Sequence, residues 1–213
     1  MPEPTAVPEH TVPASSARDL RELRDEPLEV PITASDVVFD GRVWDVRRDE
    51  FVYNGESTVR DYVDHTGAVA VVAIDDEGRV LLLQQYRHPI RSRDWEIPAG
   101  LLDVRGEAHV DTARRELAEE ADLVAASWEP LISIRTTPGG SDETVHIFLA
   151  RELAAAPEVH AREAEEADIR LEWVDLDVAV SAVLEGRMHN AILAVGVLTA
   201  AERLRRAGGS AGQ

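Results

Sequence analysis

The chain contains no cysteine. Disulfides, thiolate metal sites and cysteine nucleophiles are therefore excluded, and the composition fits a protein of the cytoplasm. Positive charge is scarce as well. Lys and Arg together number 22 against 41 Asp and Glu, so the formal net charge is −19. A field of that sign repels phosphate backbones and anionic lipid, which argues against nucleic-acid and membrane partners. Long hydrophobic runs are missing too. The longest, Ala191 to Ala201, is too short to span a bilayer and suits a buried helix. Met1 to His10 is acidic and Pro-rich, with no basic stretch leading into an apolar one, so no targeting segment is expected.

What is present describes a globular protein. The 213 residues (23.4 kDa) are 44% hydrophobic and 30% charged, enough for one ordinary domain with a small appendage. Residues 1–27, rich in proline and small polar residues at the start, are expected to form a disordered or loosely ordered tail. Residues 28–65 carry β-rich clusters, among them Val37-Val38-Phe39, Val43-Trp44 and Phe51-Val52-Tyr53. Asn54-Gly55 between two of them is a hairpin signal, so a small antiparallel sheet is expected here.

The main domain should run over residues 66–206, followed by a flexible tail at 207–213. Ala68 to Ile74 is a continuous apolar strand, Asp75 to Gly78 a turn, and Val80 to Tyr86 the returning strand. Further strands are expected at Trp95–Pro98, Leu131–Thr137, Val145–Ala150 and Ile169–Val174. Helices are expected at Ala108–Ala121, at Val178–Leu184 capped by Asp175 or Asp177, and at Asn190–Arg206. Strands and helices mix without strict alternation, which predicts an α+β fold with a mixed sheet.

The helix at Ala108–Ala121 carries the chemistry. At about 100° per residue, Val110, Ala113, Leu117 and Ala121 share an apolar face, while Glu116 and Glu120 are neighbours on another with Glu119 beside them. Three clustered carboxylates repel one another, and a hard divalent cation offsets that repulsion. Arg115 could pair with one of them. Taken alone, these residues read more simply as a solvated acidic face. His88, His109, His146, His160 and His189 show no metal-ligand spacing, and Ser141 has no triad partners.

The whole string decides between these readings. Gly100, Glu107, Arg115-Glu116-Leu117, Glu119-Glu120 and Leu123 resemble the Nudix box, G-x5-E-x7-R-E-U-x-E-E-x-G-U, with U aliphatic. Two departures stand out. Six residues rather than five separate Gly100 from Glu107, and Asp122 occupies the position of the second glycine. Asp tolerates a left-handed helix end, so the turn is expected to survive. The resemblance implies a mixed sheet between helices (an α/β/α sandwich), and hydrolysis of a nucleoside diphosphate linked to another moiety. It implies Glu116, Glu119, Glu120 and the backbone carbonyl of Ala99 as metal ligands, with Glu119 also in a catalytic role. Glu107 and Arg115 would hold the box together.

Strings outside the box resemble the ADP-ribose pyrophosphatase subgroup, closest to its actinobacterial type, over about residues 28–205. They are Trp95-Glu96-Ile97-Pro98-Ala99-Gly100, Gln85-Tyr86-Arg87-His88, Pro138 sixteen positions past Asp122, and Thr137 to Glu143. This resemblance implies Mg²⁺-dependent cleavage of ADP-ribose to AMP and ribose 5-phosphate, with Mn²⁺ able to substitute. Arg60, Arg87, Glu96, Gly100 and Leu101 become the substrate contacts and Glu166 the general base, with Glu165 the runner-up. Acidic neighbours Glu163, Glu165 and Asp168 would raise the proton affinity of Glu166. One of Phe39, Trp44 and Phe51 would stack on adenine. The N-terminal sheet would pack between protomers of a homodimer. The alternatives are another nucleoside diphosphate derivative (an ADP- or GDP-sugar, NADH, a dinucleoside polyphosphate) or a non-catalytic nucleotide-binding protein.

Overall fold

The β-rich clusters ahead of residue 65 and the apolar run after it fold into separate sheets. The computed structural model describes residues 23–158 and 168–210. In chain order its elements are β1 (Ile32–Phe39), β2 (Asp45–Tyr53), β3 (Glu56–Asp64), β4 (Ala68–Ala73), β5 (Arg79–Arg87), β6 (Ser92–Glu96), β7 (Ala99–Leu101), α1 (His109–Ala121), β8 (Leu123–Arg135), β9 (Thr144–Ala155), β10 (Arg170–Asp175), α2 (Leu176–Leu184) and α3 (Ala191–Ser210). Expectations for the tail up to residue 22, for His160, Glu163, Glu165 and Glu166, and for residues 211–213 lie outside the described residues.

β1, β2 and β3 form an antiparallel sheet of their own. Its second hairpin closes on Tyr53↔Glu56, and both turn residues have positive φ (Asn54 51°, Gly55 82°), the geometry that matches strand twist in a two-residue turn.

β4 centres a four-stranded sheet of order β7-β4-β9-β8, parallel to β9 and antiparallel to β7. All of β4 is buried, as its unbroken apolar sequence requires of a strand covered on both faces. Val69, Val71 and Ala73 pack with Ala113 and Leu117 of α1 and Phe148 of β9. On the opposite face Ala70 and Val72 pack with Ile147, Leu149 and, from α3, Leu193, Val197 and Ala200. Helices therefore cover both sides of a mixed sheet, the expected α/β/α arrangement. The α3 backbone comes close to this sheet at Gly196, where a Cβ would lie 3.0 Å from Val72 Cγ2. Fully burying each Val or Leu here contributes about 1.5–3 kcal/mol.

Four expectations need correction. β5 does not return along β4. An isolated bridge, Ile74↔Val80, follows the end of β4, and β5 joins a separate sheet of order β10-β5-β6. The edges of β4 are already taken by β9 on one side and by β7 and the Pro98 carbonyl, which accepts from Val71 N–H, on the other. The strand expected at Trp95–Pro98 is two strands, β6 and β7, interrupted at Ile97-Pro98. β8 begins at Leu123 rather than Leu131 and continues through Pro130, where its register with β9 shifts because proline lacks an N–H for the ladder. α3 runs past Arg206 to Ser210, beyond the start of the expected tail. α2 is capped as expected, with Asp175 accepting from the N–H groups of Asp177 and Val178.

Candidate functional site

α1 begins without a side-chain cap; Ala108 is its N-cap and its carbonyl accepts from Asp111 and Thr112 N–H. Glu107, one residue earlier, fastens the incoming loop instead. Its Oε2 accepts from Thr112 Oγ1 at 2.9 Å and from Arg115 Nη2 at 3.4 Å. The extra residue of the 100–107 loop falls in a region containing an exposed turn, where Glu107 N–H meets the Val104 carbonyl and Gly106 adopts φ +85°. At the other end Asp122 takes the left-handed conformation (φ 55°, ψ 35°) and its N–H returns to the Ala118 carbonyl. The helix stop thus survives the loss of glycine.

Packing of α1 on β4 through Ala113 and Leu117 turns its carboxylates toward β7. Glu120 is 8% exposed, and its Oε2 accepts the Ala99 N–H at 2.9 Å. Glu116 lies over Gly100 so closely that a Cβ there would sit 1.9 Å from the Glu116 carboxyl carbon. A side chain at this position would push the Glu116 carboxylate out of its place over β7. Arg115 Nη1 bridges Glu116 Oε1 (2.6 Å) and Glu119 Oε2 (3.1 Å). Burial raises the Glu116 carboxyl above its ordinary range, and repulsion from Glu119 adds to this, against the pull of Arg115. Burial lowers the affinity of the Arg115 guanidinium for its proton, but Glu107, Glu116 and Glu119 outweigh it and the net shift is upward.

Hard carboxylate oxygens crowded around a cationic group suit a divalent ion such as Mg²⁺. The guanidinium of Arg115 holds Glu116 and Glu119, and among the described residues no three acidic or histidine side chains converge as a ready-made metal cage. The donor chemistry fits a metal.

The other residues singled out from the sequence fall in two places. Arg87 and Glu96 pair with each other across β5 and β6, with Nε to Oε1 and Nη2 to Oε2 both at 2.7 Å. Gln85 also donates to Glu96, which is 5% exposed. Gly100 and Leu101 lie in β7 opposite Val69 and Ala68. Arg60 instead lines a pocket of about 370 Å³ with Asp61 and Tyr62 of β3 and Pro138 to Asp142 of the β8–β9 loop. No described residue of the box lines that pocket. Trp44 stacks on His65 at 5.1 Å between ring centroids, and Phe39 is 63% exposed. His65 and Thr136, which contact this loop, escaped the sequence reading; only the similarity of segment 137–143 to a known subgroup pointed near them.

Residues 64–193 match the NUDIX domain family. Together with the fold and the box, this shows that the chain belongs to the Nudix family and is a Nudix hydrolase, a class that uses a divalent metal. It is 44% identical over 168 residues to an ADP-ribose pyrophosphatase of Mycobacterium tuberculosis, covering 78% of this chain and 80% of that one. It is also 36% identical over 171 residues to a methanol dehydrogenase activator of Bacillus methanolicus, covering 79% and 91%. A crystal structure of an ADP compounds hydrolase shares the fold at a TM-score of 0.72 and 21% identity, covering 87% of this chain and 99% of that one.

Proposed function

We propose that this Nudix hydrolase cleaves the pyrophosphate of ADP-ribose to AMP and ribose 5-phosphate, with Mg²⁺ as the working ion and Mn²⁺ able to replace it. The observation that carries the reading is the half-buried acidic ridge of α1, with Glu116 packed over Gly100, in a chain closely similar to an ADP-ribose pyrophosphatase. Glu116, Glu119, Glu120 and the Ala99 carbonyl would hold the ion. When bound, it neutralises diphosphate charge and polarises a phosphoryl oxygen.

The chain's own residues do the rest. Glu107 and Arg115 fix the loop to the helix. Arg87, oriented by Glu96, offers a guanidinium to a phosphate, and Arg60 offers another from the β3 pocket. Gly100 and Leu101 present backbone to the substrate. Glu166, outside the described residues, takes a proton from the attacking water. The water oxygen bonds to one phosphorus, the bridging P–O bond breaks, and the bridging oxygen leaves with the other phosphate. Arg93 of β6 pairs with Asp168, two positions beyond Glu166, which ties that end of the acidic segment to the sheet. The β1–β3 sheet packs against a second copy in a homodimer.

A second reading, another nucleoside diphosphate derivative, draws on the methanol dehydrogenase activator, whose name carries no ADP-ribose activity. A phosphatase-coupled phosphate-release screen with Mg²⁺ separates the two. ADP-ribose should give the highest kcat/KM among ADP-ribose, ADP- and GDP-sugars, NADH and dinucleoside polyphosphates. A higher value for any other substrate replaces the first reading with the second.

A further inference from the structure

His65 lies in the connection between β3 and β4, and its side chain is only 7% exposed. Its Nδ1 accepts the backbone N–H of Gly67 at 2.9 Å, so the neutral ring carries its proton on Nε2. Nε2 lies 3.5 Å from Glu143 Oε1. The other oxygen of that carboxylate accepts from the Thr136 hydroxyl. The backbone N–H of His65 donates to Asp142 Oδ1 at 2.8 Å, and Trp44 covers the ring by stacking.

These contacts join three parts of the chain. Beside His65, Val63 N–H meets the Gly140 carbonyl at 2.9 Å, and Val63 bridges Ser141 in parallel register. The β8–β9 loop is thereby zipped onto the end of β3. On the other side, the Gly67 carbonyl accepts from Leu102 N–H at 3.1 Å, at the start of the loop that leads into α1. Gly67 has φ +82°, and a Cβ on it would press on Leu102 Cδ1 (3.2 Å) and the Thr144 carbonyl (3.3 Å). The His65 ring thus sits where the β8–β9 loop, the end of β3 and the strand connection toward the box loop meet. The pocket beside Arg60 is walled by β3 on one side and this loop on the other, so its shape depends on that register.

We propose that His65 is a positioning residue for substrate selection: its Nε2–H fixes Glu143, and with it loop 137–143, in the register that shapes the Arg60 pocket. The inference rests on the proposed reading of that pocket as part of the substrate site. Side-chain chemistry offers a clean dissection. Asparagine keeps an acceptor near the Nδ1 position but does not reach Glu143; glutamine places a donor near the Nε2 position.

The test uses the full chain with Mg²⁺, ADP-ribose and ADP-glucose. His65→Asn should raise KM for ADP-ribose about 10-fold while kcat changes less than about 3-fold, and should shrink the preference for ADP-ribose over ADP-glucose. His65→Gln should stay within about 3-fold of the parent in both constants, and Glu143→Met, which removes the acceptor at similar length, should reproduce His65→Asn. The double variant His65→Asn/Glu143→Met should be no worse than either single one. Equal KM values for the Asn and Gln variants, or additive effects in the double variant, overturn the proposal. Should the parent cleave neither substrate, the ADP-ribose reading fails and amide hydrogen exchange over residues 137–143 decides the role of His65. Faster exchange in His65→Asn but not in His65→Gln supports it; identical exchange in all three overturns it.

Discussion

β1 and β4 are both strands with several apolar residues, and they end in opposite environments. Every residue of β4 is buried, whereas none of β1 is. The difference is cover. β4 has α1 on one face and α3 on the other. The β1–β3 sheet leaves Ile32, Val37, Val38 and Phe39 substantially exposed, with Trp44 beside them. A three-stranded sheet with no covered face is poorly stabilised alone, and an apolar patch of this kind marks an interaction surface. Burial follows from what packs against a strand, and the contrast supports assigning chemistry to one region and assembly to the other.

The sharpest way to break that division is at the ridge. Glu120→Gln should lower Mg²⁺-dependent turnover of ADP-ribose by about 10²- to 10⁴-fold while circular dichroism stays unchanged. Turnover within a few-fold of the parent would take Glu120 out of the site. Next come the two hydrophobic environments. Leu117→Ala, at a fully buried position, should cost about 2–5 kcal/mol in urea unfolding. Phe39→Asp should cost the monomer less than about 0.5 kcal/mol, yet shift sedimentation from dimer to monomer. Similar unfolding costs for the two variants, or an intact dimer with Asp at position 39, would erase the contrast.

The smallest effect contrasts an exposed acidic group with the half-buried ridge. Hydrogen bonds from Arg205 and Arg206 lower the Glu202 carboxyl to about 2. Its folded pKa is depressed, so its contribution is present above the unfolded carboxylate value and is lost as pH falls toward about 2. Because Glu202 is solvent-exposed, salt should screen the effect. Melting temperatures of the parent and Glu202→Gln should differ slightly above about pH 5 and converge on acidification. Curves that run parallel throughout would contradict the assignment.

Local signals carried much of this structure. The spacing of Val110, Ala113, Leu117 and Ala121 placed α1, Asn54-Gly55 placed the β2–β3 turn, and tolerance of positive φ by Asp explained the helix stop at Asp122. Pairing did not follow from local signals. Ala68–Ile74 and Val80–Tyr86 look like a hairpin because a turn joins them, but β4 is claimed by β9, more than 70 positions away in sequence. The first half of β8, Leu123 to Pro130, was not expected as strand, and it contains a proline that cannot donate to the ladder. At the site the acidic residues were legible one by one, and their bonding was not. Arg87 and Glu96 read as two separate substrate contacts, whereas they form a bidentate pair. Arg115, read as a partner for one carboxylate, contacts Glu107, Glu116 and Glu119.

Phosphorus NMR of ADP-ribose incubated with the full chain and Mg²⁺ tests the central claim most directly. The account predicts that the two diphosphate resonances give way to two phosphomonoester resonances, those of AMP and ribose 5-phosphate, and that chelating the metal stops the change. Diphosphate resonances that persist with Mg²⁺, or that decay equally fast after chelation, would contradict it.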